Sequence, residues 1–200
     1  NHINIIPAFN LIVFFISSLP YKCPPAPYEI MFLIDQYFIK KGFRDNIKLT
    51  IVTPEISPES LAGPWVGQSL RKQLSDRKIN LITEAKILSV EKNCLVLDHG
   101  NKIEGDLLLG IPSNWTPDFL RKTDLVDATG WVEVNQQTLE TKYPNVYAVG
   151  DCTKIKLPVI GAHAPKAGIF AHYQAEVAAR NIALKAKGKE PKFIYTGKGA

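Results

Sequence analysis

One cysteine stands in a short proline-rich turn whose neighbours favour a reactive thiolate. Cys23 follows Lys22 and precedes the run Pro24-Pro25-Ala26-Pro27, after which apolar residues recur at helical spacing. A lysine and a helix N-terminus both stabilise the negatively charged, nucleophilic form of a thiol, and the prolines restrict the turn. A lone cysteine is more often packed as a small hydrophobe, but these neighbours favour a redox role. We therefore predict that Cys23 is catalytic, with Glu29 in the first turn of the helix as a second catalytic candidate.

A second stretch carries residues that suit a polar cofactor. The apolar segment Val146 to Val149 predicts a strand that ends in Gly150-Asp151, and a helix is expected to open at Pro165. Glycine lets a ligand approach the backbone, and Asp151 is an acceptor for a sugar-like hydroxyl. The N–H groups at a helix start favour developing negative charge, so the arrangement suits a flavin. The predicted cofactor-binding residues are Pro112, Gly150, Asp151, Ala164, Pro165, Lys166 and Ala167.

Some other polar residues near these stretches are weaker candidates. Lys166 is predicted to be catalytic through its positive charge near the flavin, with a solvent-facing lysine as the alternative. His163 is a candidate proton donor in the loop before the helix, and Cys152 is a candidate third thiol for which structural packing is favoured. Cys94 receives no role. The three cysteines have no metal-like spacing, and no metal site is predicted.

The elements that position these residues alternate between strands and helices. Apolar runs predict parallel strands, and 3.6-residue periodicity predicts helices between them. The predicted strands are 11–16, 47–52, 79–83 and 106–112, the predicted helices are 27–41, 66–77 and 165–187, and an antiparallel meander is predicted over 86–90, 94–97 and 102–103. We expect the last helix to bury Ile169, Ala171, Val177 and Ile182. The fold class is therefore α/β and Rossmann-like, with a parallel sheet and an antiparallel meander.

The first strand–turn–helix lacks what a nicotinamide dinucleotide needs. That site uses G-x-G-x-x-G so that the pyrophosphate lies against bare backbone. The turn from Tyr21 to Glu29 contains no glycine, and its prolines remove N–H donors and add bulk. The domain is shaped for a dinucleotide but is predicted not to bind one, which argues against an NAD(P)H-dependent enzyme.

Composition narrows the classes of protein to which the chain could belong. The chain of 200 residues is 46% hydrophobic and 22% charged with a net charge of +5, as in a globular α/β protein, and no nucleic-acid motif is present. The apolar run from Ile3 to Ile16 has neither a basic start nor the length of a membrane span, and its second half is interpreted as a buried strand. The basic tail from Lys185 to Lys198 indicates a solvated face, or else contact with acidic lipid headgroups.

The two stretches together resemble a known family. Thr141-x-x-x-x-Val146-Tyr-Ala-Val-Gly-Asp151 resembles the second FAD-binding motif of flavoproteins with two dinucleotide-binding domains. With Pro20-Tyr-Lys-Cys-Pro-Pro-Ala-Pro-Tyr-Glu29 and Pro165-Lys-Ala-Gly168, the chain resembles sulfide:quinone oxidoreductases and the flavoprotein subunit of flavocytochrome c sulfide dehydrogenase. A type II NADH dehydrogenase is the alternative within this fold, and a non-catalytic fragment is the alternative outside it.

The resemblance implies a domain plan and a reaction. Residues 1–105 correspond to a degenerate NAD(P)-binding-like domain, and residues 106–200 to the C-terminal part of an FAD-binding domain. The family pattern also contains an N-terminal FAD segment, a second cysteine beyond Ala200 and a C-terminal region, so the chain is interpreted as an internal fragment. The implied reaction passes electrons from sulfide, or a related sulfur compound, through Cys23 and FAD to a quinone or cytochrome c. The implied location is peripheral to the cytoplasmic membrane, with the periplasm as the alternative.

Overall fold

A computed structural model describes residues 9–157 and 161–199. The start of the apolar run, at residues 3–8, lies outside the described residues, as do Pro158 and Ala200. The chain divides into two compact units, the first reaching to Ser113 and the second starting at Asn114.

The first unit is built on a parallel sheet with an antiparallel sheet beside it. The strands are β1 (Leu11–Ile16), β2 (Lys48–Val52), β3 (Ile79–Ile82), β4 (Ile87–Glu91), β5 (Cys94–Leu97), β6 (Lys102–Glu104) and β7 (Leu107–Ile111). The parallel sheet has the order β3-β2-β1-β7, and β4-β5-β6 form the meander. The predicted α/β class, the parallel strands and the meander are confirmed, and β7 belongs to the sheet of the first unit.

The two faces of the parallel sheet are covered by different layers. Alternate residues of a strand point to opposite faces, so Ile12 and Phe14 pack with Met31 on one face, while Val13 and Phe15 pack with Leu95 on the other. The first face is covered by helices α1 (Ala26–Lys41) and α2 (Pro64–Asp76), and the second by the meander. Coverage on both faces explains why these strands are continuously apolar in sequence.

Helix α1 begins and ends where its sequence signals predict. Proline occupies its first turn, and Gly42 terminates it with a φ of +74°, donating its N–H to Ile39. Its inward face includes Asp35, whose carboxylate pairs with Arg44 at 2.5 Å and with Arg77 at 3.3 Å. The helical spacing of its apolar residues would also place Leu33 and Tyr37 on the buried face, but both side chains are exposed.

The second unit has less regular structure. It contains a four-residue helix α3 (Asp118–Arg121) and the long helix α4 (Gly168–Lys185). The strand predicted over 146–149 is wrong: its pairing in the described residues is limited to an isolated bridge between Glu140 and Tyr147 and two backbone hydrogen bonds. A turn closed by Val146 N–H on the carbonyl of Tyr143, with Asn145 at a φ of +66°, reverses the chain just before the segment, and the pairing beyond this turn is too short to form a strand.

Helix α4 differs from its prediction at its start and on its inward face. Ala167 is extended, with φ −144° and ψ 145°, so the helix begins three residues after Pro165. Ile169 and Ile182 were expected to be buried but are 45% and 46% exposed. The residues of this helix that are buried are polar or small: Gln174, Ala178 and Asn181. An alanine-rich helix lacks a strong apolar stripe, and its inward amides are held by hydrogen bonds that apolar periodicity does not reveal.

No helix in the described ranges is long and apolar enough to cross a membrane.

Candidate functional site

Cys23 lies in the turn between the carboxyl end of β1 and the start of α1. The carbonyl of Cys23 accepts a hydrogen bond from the N–H of Ala26 at 2.9 Å, and the hydroxyl of Tyr21 donates to the carbonyl of Pro24 at 3.2 Å. Cys23 has a φ of +57°, which is uncommon for a residue with a side chain, and it is exposed as a free cysteine. Ligands bind at the carboxyl ends of strands in folds of this kind, so the thiol occupies the expected place for chemistry.

A buried carboxylate lies beneath this turn. Glu55 follows β2 and is 6% exposed; its Oε2 accepts hydrogen bonds from the hydroxyl of Tyr28 at 2.7 Å and from that of Thr53 at 3.1 Å. Its Oε1 accepts the N–H of Ser60 at 3.4 Å. Burial, followed by the negative charge of Glu55, raises the pKa of Tyr28 well above its usual value, so its hydroxyl remains a donor.

A second glutamate completes the group. Glu59 is half-buried at a φ of +51°. Burial, then the charges of Glu55 and Glu29, raise the pKa of Glu59 to about 7. The predicted candidate Glu29 lies in the first turn of α1 and is exposed. Glu55 and Glu59 were not predicted; their position directly after β2, next to β1 in the sheet, was the available signal.

In the second unit, a turn at Gly150 is held from two sides. The N–H of Gly150 donates to Oε1 of Gln174 at 2.7 Å, and the hydroxyl of Thr153 donates to the carbonyl of Gly150 at 2.7 Å. Gly150 has a φ of +76°, and a Cβ there would lie 3.0 Å from that of Ala171. Glycine is therefore required both by the backbone conformation and by the close approach of α4.

Lys166 faces into the protein. Its Nζ donates to the carbonyl of Thr153 at 2.6 Å and lies 4.0 Å from the centroid of the Trp131 ring. Burial lowers the pKa of Lys166, and the nearby Asp151 opposes that shift. The lysine thus ties the segment before α4 to the end of the Gly150 turn, an arrangement that its position in the sequence did not reveal.

Most of the predicted cofactor residues line one small cleft. The cleft has a volume of about 10 Å³, and it is lined by six of them: Gly150, Asp151, Ala164, Pro165, Lys166 and Ala167. Its small side chains leave the backbone approachable, the carboxylate of Asp151 supplies an acceptor, and the first N–H groups of α4 lie next to it. These groups are of the kind that contact the hydroxyls and the electron-rich ring of a flavin, and the cleft itself has room for about one water molecule. Pro112 lies in the first unit, just after β7, and is exposed.

The remaining candidates have defined surroundings. The thiol of Cys152 donates to the carbonyl of Val149 at 3.4 Å, and burial raises its pKa, which favours the neutral thiol. Burial, then the charges of Lys154 and Lys166, lower the pKa of His163, which favours the neutral imidazole. Within the described ranges, no group of three or more histidine, cysteine or acidic side chains is arranged to hold a metal.

The parallel sheet, the meander and the Gly-Asp turn define a dinucleotide-domain protein of the Rossmann type. Residues 42–177 match the family of pyridine nucleotide-disulphide oxidoreductases, and the chain belongs to this family. It is similar to a protein named mitochondrial sulfide:quinone oxidoreductase in mouse, with 28% identity over 92% of this chain and 41% of the relative. The protein of the same name in Schizosaccharomyces pombe is 32% identical over 88% of this chain and 39% of the relative.

A solved structure supports the same fold. The sulfide:quinone oxidoreductase of Aquifex aeolicus superposes with a TM-score of 0.74 at 20% identity, covering 88% of this chain and 44% of that one. The 200-residue chain therefore spans about two fifths of the length of the relatives that it matches.

Proposed function

We propose that this protein is an FAD-dependent oxidoreductase that passes electrons from sulfide, or a related sulfur compound, to a quinone or a cytochrome. One observation carries the proposal: an exposed cysteine occupies the turn between β1 and α1, where a nicotinamide-dependent enzyme would bind the pyrophosphate. Pro24, Pro25 and Pro27 have no N–H to offer a phosphate there, whereas the thiol offers a nucleophile. In this proposal, residues 1–105 form a domain with the fold of an NAD(P)-binding domain that carries the reactive thiol and binds no nicotinamide dinucleotide.

The cleft beside Gly150 is proposed to hold FAD. Asp151 would accept hydrogen bonds from the ribityl chain, and the backbone from Ala164 to Ala167 would lie against the ring. Lys166 would add positive charge, although its hydrogen bond to Thr153 and its contact with Trp131 favour a holding role over a reacting one. Pro112 remains a proposed FAD-binding residue. When bound, FAD supplies the ability to accept two electrons and to pass them to the acceptor.

The proposed chemistry at Cys23 is a thiol–disulfide exchange. Cys23 forms a disulfide with a second cysteine of the protein, and hydrosulfide attacks the Cys23 sulfur. A new S–S bond forms, the old one breaks, and the second cysteine leaves as a thiolate that carries the electron pair. Glu29, in the first turn of α1, is proposed to accept or return a proton during this exchange.

The names of the relatives and the distribution of charge bear on the proposed location and partners. The two relatives described above are named as mitochondrial proteins. We propose peripheral contact with a membrane, where a quinone would be met, and no nucleic-acid partner. The basic tail is partly engaged within the protein, since Lys185 pairs with Glu140 and Lys198 lies over the ring of Tyr173.

An anaerobic titration of the flavin-loaded protein tests this proposal. Sulfide and NADH are added separately while the flavin absorbance is followed in the wild type and in Cys23→Ser. We expect sulfide to bleach the flavin, NADH to leave it oxidised, and Cys23→Ser to abolish the reaction with sulfide. Cys94→Ser, altered in the meander, is the matched control and is expected to behave as the wild type.

Two outcomes favour the alternatives. Bleaching by NADH would indicate an NADH dehydrogenase-like enzyme, and sulfide reduction that survives the loss of Cys23 would exclude the thiol relay. A purified protein that binds no FAD would favour a non-catalytic module.

A further inference from the structure

The meander leaves part of the parallel sheet uncovered. Phe15 and Val52 pack against it. A groove of about 400 Å³ remains between the same face of the sheet and β6. It extends over Leu11 and Lys48, the first residues of β1 and β2, whereas the Cys23 turn follows the opposite end of β1. The groove is therefore separate from the place proposed for the thiol chemistry.

The strand register places polar and apolar side chains next to each other on the floor of this groove. Val13 of β1 is the partner of Thr50 in β2, and Thr50 is the partner of Asn80 in β3. Register partners on neighbouring strands point to the same face, so Thr50 and Asn80 share the face on which Val13 packs against the meander. All three residues line the groove, together with the apolar side chains of Ile82 and Ile103.

Thr50 carries a buried hydroxyl that the fold does not use. The residue is 4% exposed, and no group of the described residues forms a hydrogen bond with its hydroxyl. A buried hydroxyl without a partner costs free energy, whereas a valine of the same shape would avoid that cost. Because Thr50 lines the groove, its hydroxyl is available to a molecule that lies there.

The charged side chains along the groove favour an anion. Lys48 is exposed and forms no ion pair with any residue that the structure describes. Lys102 pairs with Glu91 at 3.6 Å, but both side chains are exposed, so this contact contributes little and leaves the lysine able to turn. Glu104 also lines the groove. Two positive charges thus face one negative charge, and the local field attracts a negatively charged ligand.

We propose that this groove binds a small carboxylate that carries an aliphatic chain. The chain lies on the apolar side chains of Leu11, Val13 and Ile103, and the carboxylate accepts a hydrogen bond from the Thr50 hydroxyl and pairs with Lys48. The volume falls within the range of roughly 300–1,000 Å³ that is typical of small-molecule sites. An amine would meet two lysines, and inorganic phosphate would leave the apolar floor in contact with water. The inference goes beyond the proposed function, since it involves neither FAD nor a thiol.

The probe for the test is octanoate, and octanol and octylammonium are its neutral and cationic counterparts. Each is titrated into the isotope-labelled full chain, and the NMR shifts of backbone amides give both the place of binding and the Kd. We expect octanoate to shift the amides of Thr50, Asn80 and Ile103 saturably at millimolar concentrations, and octylammonium to bind roughly tenfold more weakly or less. Equal binding of the two ions, shifts confined to residues outside the groove, or no saturable shift would overturn the proposal.

A charge variant tests the role of Lys48. Lys48→Gln is expected to raise the Kd of octanoate by roughly three- to tenfold and to leave the Kd of octanol unchanged, because only the anion uses the positive charge. The matched control is Lys40→Gln, altered at an exposed position of α1, which covers the other face of the sheet. It should leave both values unchanged. An equal loss for octanoate and octanol in Lys48→Gln would contradict the ion pair.

A hydroxyl variant tests the role of Thr50 through two effects of opposite sign. Thr50→Val should raise the Kd of octanoate by roughly two- to tenfold, since the carboxylate loses a donor. The same variant should raise the thermal unfolding midpoint of the free chain, because a buried hydroxyl without a partner is removed. Thr50→Ser keeps the hydroxyl and should keep the Kd to within about twofold. An unchanged Kd in Thr50→Val would overturn the proposal, and Lys48→Gln, which alters an exposed side chain, supplies a test that does not depend on the folding of Thr50→Val.

Discussion

At the scale of the single residue, the contacts of Lys166 give this side chain a structural role. A lysine before a helix usually extends into solvent, but the Nζ of Lys166 is held by the carbonyl of Thr153 and the ring of Trp131. We predict that Lys166→Met destabilises the protein by about 1–3 kcal/mol, because a buried carbonyl loses its donor. Urea unfolding checks this value. Lys187→Met, altered at an exposed position after α4, should lie within about 0.5 kcal/mol of the wild type.

The same scale shows which site residues a sequence reveals. Cys23 and Gly150 were found because their own neighbours carry the signal: prolines and a helix start for one, an apolar run and an aspartate for the other. Glu59 was missed because its pKa depends first on burial and then on the charges of Glu55 and Glu29, and Glu29 is 30 positions away in the chain. Such long-range electrostatic coupling is created by the pairing of β1 with β2 and leaves no local pattern.

At the scale of the element, Asp35 anchors α1 to its neighbours. Its carboxylate is 1% exposed and pairs with Arg44, just after α1, and with Arg77, at the end of α2. We predict that Asp35→Ala lowers the free energy of unfolding by about 2–3 kcal/mol, somewhat less than a fully buried pair loses, because the two arginines reach solvent. The control is Asp76→Ala, whose pair with Lys72 is exposed and should contribute less than about 1 kcal/mol. Equal losses in the two variants would contradict an anchoring role.

Elements were predicted best where one periodicity dominates. The strands of the parallel sheet are continuously apolar because both faces are covered, and α1 carries clear start and stop signals. The segment 146–149 is as apolar as those strands but forms no ladder, because regular pairing depends on a partner and not on composition. Helix α4 was placed three residues early because Pro165 is a common first helical residue, whereas Lys166 here is drawn towards Thr153 and Ala167 is extended.

At the scale of the whole molecule, carboxylates with lowered pKa values make stability depend on pH. Hydrogen bonds lower the pKa of Asp127, mainly from Thr129 with a further one from Lys154, and backbone N–H groups lower the pKa of Asp106. A hydrogen bond from Tyr143 lowers the pKa of Asp124, and a hydrogen bond from Lys185 lowers the pKa of Glu140. For each of them the folded state binds fewer protons than the unfolded state at pH values near 4, so their stabilisation is present above the unfolded pKa and lost as pH falls through the folded one.

The pKa values of these four groups shift in the opposite direction to that of Glu59. The two kinds of carboxyl therefore contribute to the pH dependence of stability with opposite signs. The thermal unfolding midpoint should fall steadily below about pH 4, where the carboxylates protonate, and Glu59 should contribute a gentler decline between 4.5 and about 7 as it ionises. The lowered pKa of His163 adds a contribution that rises with pH below about 6.5, so melting curves from pH 2 to 8 are compared between the wild type and each variant. Asp127→Asn should weaken the acid limb and leave the gentle decline unchanged, while Glu59→Gln should do the reverse. A pH dependence between 4.5 and about 7 that is the same in Glu59→Gln as in the wild type would contradict the assignment of Glu59, because a carboxyl that charges in a partly buried, negatively charged site destabilises the fold that contains it.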